Sequence, residues 1–184
     1  MLIAFNKPYG VICQFSPSTG KPTLKNYVSV DHVYPAGRLD TDSEGLMLLT
    51  DNGIVQAKIT DPRDKIAKTY WAEVEGVASD DALKPLLAGV DLGDFYAVPA
   101  IQASTIPTPT LWPRNPPVRF RANIPTSWVE ITIVEGKNRQ IRRMTAHVGL
   151  PTLRLVRVAI GRLDLINIKL APGKWLEISP ENVF

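Results

Sequence analysis

The stretch PAGRLDTDSEGL, Pro35 to Leu46, places Arg38, Asp40, Asp42 and Glu44 in one glycine-bounded loop directly ahead of the apolar run GLMLL. Oxygen-bearing side chains at that density do one of two kinds of chemistry. They bind a cation together, or one of them is a reactive carboxylate held by a basic neighbour. The cation reading has a pattern behind it: counted from Asp40, oxygen side chains stand at positions 1, 3 and 5, glycine at 6 and Asp51 at 12. A calcium loop of this kind needs a longer acid at its last position and helices on both flanks. Here the flanks carry Pro35 and Gly37 on one side and a strand-like apolar run on the other. The carboxylate reading starts from Arg38 and Asp40, two apart and so able to face one mouth.

A second group of residues shifts the balance. NRQIRRMTAHVG reads as a helix with Asn138 as its cap, Ile141, Met144 and Val148 on the apolar face and Gly149 at the exit. Arg139, Arg142 and Arg143 are spaced i, i+3, i+4 near its start, where the helix dipole disfavours positive charge. Something anionic should compensate them: a carboxylate of the protein, phosphates of a ligand, or both. Between Gly136 and Arg162 the chain holds seven basic residues and no acidic one, although the whole carries only +3. The remainder is therefore net acidic, and one concentrated basic segment on such a body points to a polyanion, with nucleic acid as the commonest case.

These residues need elements to position them. LIAFNKPYGVIC reads as two short strands around a turn, and GLMLLT as a buried strand followed by a helix IVQAKIT capped by Asp51. KTYWAEVEG alternates cleanly, with Lys68, Tyr70, Ala72 and Val74 on one face. SDDALKPLLAGV is a capped helix closed by Gly89, WVEITIVEG is a strand, and LRLVRVAIGRLDLINIKLAPGKWLEI is strand-like throughout. KPTLKNYVSV fits a short helix or an edge strand equally. From Ile106 to Thr126 lie six of the 16 prolines with Trp112, Arg114 and Phe120, so this is an excursion between elements. The class is α+β, a single domain over residues 1–184 with a mixed or largely antiparallel sheet and few helices.

Several classes drop out. No Walker loop, dinucleotide fingerprint or HExxH occurs, and the single Cys13 makes neither an internal disulfide nor a thiolate metal site. No apolar run approaches the roughly 20 residues of a membrane span, and no secretory leader is seen, so a cytoplasmic protein with no membrane partner and no bound metal is expected. Composition and spacing stop at an RNA-binding α+β protein, leaving open an enzyme, a non-catalytic RNA-binding module and a calcium-loop protein.

The order FNKPYGV, AGRLDTDSEGLMLLTDNG, KTYWAEVEG, EGKNRQIRRMTAHVG and RLVRVAIG resembles the catalytic domain of RNA pseudouridine synthases of the RsuA type, over nearly the whole chain. The insertion LWPRNPPVRF with IPTSW further resembles the member of that branch that modifies 23S ribosomal RNA. The small N-terminal S4-like domain common in the branch has no counterpart ahead of FNKPYGV. The resemblance implies an isomerase that turns one uridine of ribosomal RNA into pseudouridine, acts as a monomer and needs no cofactor. It makes Asp40 the catalytic aspartate, Tyr70 the active-site tyrosine and Arg142 the aspartate's arginine. Arg38, Lys68, Lys137, Arg139, Arg143, Trp112 and Arg114 are then expected to contact RNA.

Overall fold

Two antiparallel halves, joined by one short parallel contact, make up the sheet of the computed structural model, which describes residues 1–184. The elements in chain order are β1 (Leu2–Lys7), β2 (Tyr34–Pro35), β3 (Glu44–Thr50), α1 (Gly53–Thr60), β4 (Lys68–Glu75), α2 (Asp80–Ala88), β5 (Val90–Asp91), β6 (Tyr96–Ala97), β7 (Gln102–Ile106), β8 (Thr126–Ile133), α3 (Gln140–His147), β9 (Thr152–Ile160), β10 (Leu163–Asp164) and β11 (Trp175–Glu177). The nine-stranded sheet runs β11-β1-β3-β9-β4-β8-β7, with β2 on β3 and β10 on β9, while β5 and β6 pair apart. The expected α+β class with a mixed sheet is thus the observed one. No helix is long and apolar enough to cross a membrane.

The parallel contact pairs Glu44 and Gly45 of β3 with Val156 and Arg157 of β9. Gly45 has φ of +106°, and a Cβ there would lie 2.3 Å from the Arg157 carbonyl oxygen. Only glycine permits that crossing.

The pattern of burial explains which segments became strands. β1 and β3 are buried on both faces: Leu2, Ala4, Leu46 and Leu48 pack with Ile59 of α1, whereas Ile3, Phe5, Met47 and Leu49 pack with Leu24 and Val28. Their continuous apolar runs follow from that. β4 is buried on one face through Tyr70, Ala72 and Val74, which join Leu83 and Leu86 of α2 and Ile141 and Met144 of α3 in the largest cluster. α2 is closed as expected, by the Ser79 side chain at its start and by Gly89 at φ +87°.

Three expectations need correction, and one left open is settled. The cap of α1 is Asn52, whose side chain accepts from Ile54 N at 2.9 Å and Val55 N at 3.2 Å; Asp51 instead binds the N-terminal amine. After β1 the chain makes no second strand, because Pro8 and Gly10 turn it into a loop that touches Thr23 only through a bridge at Ile12. Of the two alternatives for KPTLKNYVSV the short helix is observed, a single 3-10 turn at Leu24–Asn26 closed reciprocally by Thr23 and Asn26. The C-terminal stretch is not strand throughout, since turns over 165–174 separate β10 from β11. The excursion after β7 holds no helix or strand until β8.

Candidate active site

The acid loop lies where the two halves of the sheet meet, and four groups beneath it hold its backbone. Ser43 N donates to Asp40 O at 3.0 Å, closing the turn, and Gly10 N donates to Thr41 O at 2.8 Å. Arg157, 3% exposed, donates through Nε to Leu46 O at 2.8 Å and through Nη1 to Arg38 O at 3.4 Å. Lys7, fully buried, donates to the carbonyls of Pro8, Val11 and Thr41. Burial drives its pKa down to about 8, against the pull of Glu44, Asp42 and Asp40 nearby.

The loop's carboxylates take separate directions. Glu44 turns inward, where Arg154 binds both its oxygens at 2.9 Å and the Trp112 indole donates to Oε1 at 2.8 Å. Arg154 also donates to the Trp112 carbonyl, so the proline-rich excursion is fastened at its middle to β3 and β9. Asp42 turns outward to Arg139, which binds it through both Nη atoms at 3.0 and 2.9 Å and holds its pKa below the usual carboxylate range. Asp40, half-buried, faces the cleft, with Arg139 Nη1 3.6 Å from Oδ2. Three acids that would share a calcium ion are therefore committed to three different places.

α3 starts later than its sequence suggests. Asn138 does not cap it; Arg139, left-handed at φ +50°, precedes Gln140, and the Gln140 side chain accepts from Lys137 N. The ridge of arginines consequently splits. Arg142 donates to Asp42 O at 2.8 Å and stands 3.6 Å from Asp42 Oδ2, so its acidic partner is Asp42 and the cation nearest Asp40 is Arg139. Arg143 reaches away to Asp94 and to Leu92 O. Protein carboxylates thus offset the positive charge at this helix start.

A cleft of about 630 Å³ opens between the acid loop and α3, lined by Arg38, Asp40, Ser43, Lys68, Tyr70, Lys137, Arg139 and Arg157 among others. Tyr70 and Lys68 come from β4, and Arg157 lies directly across from Tyr70 on β9. Asp40 and Tyr70, far apart in sequence, meet in this one cavity. Among the expected RNA contacts, Arg38 is exposed at its rim. Lys137 donates to Tyr96 O and sits 4.7 Å from the Phe95 ring. Trp112 and Arg114 do not line the cleft; Arg114 stacks 4.2 Å over Tyr9 and donates to carbonyls of Pro116, Pro117 and Leu153.

Residues 1–147 match the model of the RNA pseudouridylate synthase family. The chain belongs to that family. It is 56% identical to ribosomal large subunit pseudouridine synthase E of Vibrio vulnificus strain CMCP6, over 97% of this chain and 75% of the relative. The protein of the same name from Xanthomonas campestris pv. campestris is 53% identical, with 95% and 94% covered. A crystal structure of a pseudouridylate synthase superposes with a TM-score of 0.77 at 26% identity, covering 99% of this chain and 71% of that one. The pseudouridine synthase fold expected from the sequence motifs is the one observed.

Sequence reading did not assign to Lys7, Ser43, Glu44, Arg154 and Arg157 the task of holding the acid loop in place. Two signals were present. FNK ends an otherwise apolar strand with a lysine, and SEG sets a glutamate against an apolar run.

Proposed function

We propose that this protein isomerises a uridine of large-subunit ribosomal RNA to pseudouridine, with Asp40 as the nucleophile at C1′. The observation that carries the reading is the meeting of Asp40 and Tyr70 in one cleft whose remaining charged lining is mostly cationic, in a chain of this family. The large-subunit substrate is supported by the names of the relatives at 53% and 56% identity.

The reaction breaks C1′–N1, turns the base and joins C5 to C1′, so no atom is gained or lost overall. A base inside a helix is out of reach of a cleft, so the target nucleotide must leave its stack. Asp40 would then attack the sugar, with the Arg139 guanidinium 3.6 Å from its Oδ2. Tyr70 offers its ring to the base, and as a phenolate its oxygen would take the proton that C5 loses. Arg142 acts through Asp42, holding the loop that carries Asp40. Arg38 at the rim meets phosphate, and Lys68 on the cleft floor meets the nucleotide. Lys137, Arg139, Arg143 and Arg114 would exchange protein partners for phosphates as RNA docks, and Trp112 holds the excursion that accompanies them.

The test is a map of pseudouridines in ribosomal RNA from cells with and without this chain. Loss of one large-subunit position is expected. An unchanged map contradicts the proposal.

A further inference from the structure

Two buried polar atoms in the cleft have no hydrogen-bond partner: Ser43 Oγ and Arg157 Nη2, on residues 1% and 3% exposed. Both residues line the cavity that Asp40 and Tyr70 share. Lys68 joins them there. It precedes Tyr70 by two on β4 and Arg157 faces Tyr70 across the strands, so the three side chains lie on one side of the sheet. The Lys68 ammonium donates once, to Ile66 O at 3.1 Å, and has two further protons to give.

Two cations side by side are costly in a half-buried site unless something anionic meets them. The carboxylates of the cleft are turned to other partners, Asp40 standing nearest Arg139 and Glu135 holding Lys137 and Gln140, and neither Lys68 nor Arg157 has an ion pair. Burial and the charge of Arg157 both push the pKa of Lys68 down, the mark of a cation lacking its counterpart. Leu39, Ile133, Ile141 and Leu155 line the same cleft and offer apolar surface to a base. A flipped pyrimidine enters such a floor base first, leaving its phosphates at the mouth. The only acceptors that reach the floor are then the carbonyl oxygens of the ring.

We propose that Lys68, Arg157 and Ser43 form a donor set that receives the uracil carbonyls and holds the negative charge of the base once the C1′–N1 bond breaks. The inference rests on the isomerase reading. As Asp40 gives an electron pair to C1′, the C1′–N1 pair leaves with the base, and the charge passes from the carboxylate to a uracilate spread over N1, O2 and O4. Donors fixed where that charge develops stabilise the step more than they stabilise the bound substrate. When C5 then bonds to C1′, the ester pair returns to Asp40; C5 loses its proton and N1 gains one. The donor set is needed between those two events.

Arg157 also holds the loop backbone, so Lys68 and Ser43 carry the test. With enzyme in excess over a [5-³H]uridine-labelled ribosomal RNA fragment, Lys68→Met should slow single-turnover tritium release about a hundredfold, and Ser43→Ala about tenfold. Lys68→Arg should retain most of the rate. RNA affinity and melting temperature should stay near wild type in all three. Release by Lys68→Met at the wild-type rate overturns the proposal. So does a normal rate at saturation with weakened affinity and a salt slope flatter by about 0.7, which would make Lys68 a phosphate contact. A wild-type protein that releases no tritium contradicts the isomerase reading itself, whereas an active wild type beside an equally active Lys68→Met contradicts the donor set alone.

Discussion

The acid loop meets the basic segment twice, and the two meetings differ in kind. At Glu44 the pair with Arg154 is buried, with both residues under 10% exposed, both carboxylate oxygens bonded and an indole N–H added. At Asp42 the pair with Arg139 is open, with side chains 37% and 43% exposed. The inner pair joins β3, β9 and the proline-rich excursion, and the outer pair leaves Asp40 facing an open cleft with a cation 3.6 Å away. Charges that look equivalent along the sequence do different work according to their burial. The inner pair fastens β3, β9 and the excursion together, and the outer pair lies at the rim of the cleft proposed to receive RNA.

The sharpest way to break that contrast is to cut the inner pair. Arg154→Ala leaves Glu44 charged and buried without its partner and should cost about 3–5 kcal/mol in urea unfolding. A loss below about 1 kcal/mol would make the inner pair no different from the outer one.

Lys7 extends the comparison to a buried charge with no ion pair. Its pKa is about 8 in the folded protein and near 10.5 in the unfolded chain. Below about 8 both states hold the proton; between the two values the native state has released a proton that the unfolded chain still binds, so this residue's contribution to stability rises with pH. Wild type should therefore gain on Lys7→Met by up to a few kcal/mol across that window. A difference that stays flat from pH 8 to 10.5 would contradict the buried, unpaired assignment.

Trp112→Phe keeps most of the packing and removes one hydrogen bond to a buried carboxylate, so a loss of about 1–3 kcal/mol is expected, measured in the same way. The smallest effect belongs to the outer pair. Arg139→Ala should change stability by less than about 1 kcal/mol, because solvent screens the pair. The folded-state pKa of Asp42 is lowered, so its contribution is present above the unfolded carboxylate range and fades as pH falls through the folded value. Arg139→Ala should flatten the acid side of the stability profile slightly, and a large stability loss would erase the distinction drawn here.

Local patterns carried much of the fold. β3, β4 and β8 follow from runs and alternation that need no distant partner, and α2 from Ser79 and Gly89. What stayed hidden is long-range or positional. Arg154 is 110 residues from Glu44, and the count of basic residues could not say that Arg154 and Arg157 point into the protein. The start of α3 was misplaced because its cap is a left-handed arginine, a conformation that the sequence pattern does not announce. Motif resemblance singled out Asp40 and Tyr70, which share one cleft, whereas Arg142 was expected on Asp40 and binds Asp42, two residues along the same loop.

The central claim is that Asp40 is the reacting group. Asp40→Asn keeps the size and turn preference of the residue, so folding and RNA affinity should remain near wild type. An amide cannot replace the nucleophile, and tritium release from [5-³H]uridine-labelled 23S ribosomal RNA should fall by at least about 10³-fold. Release by Asp40→Asn at the wild-type rate would contradict the account.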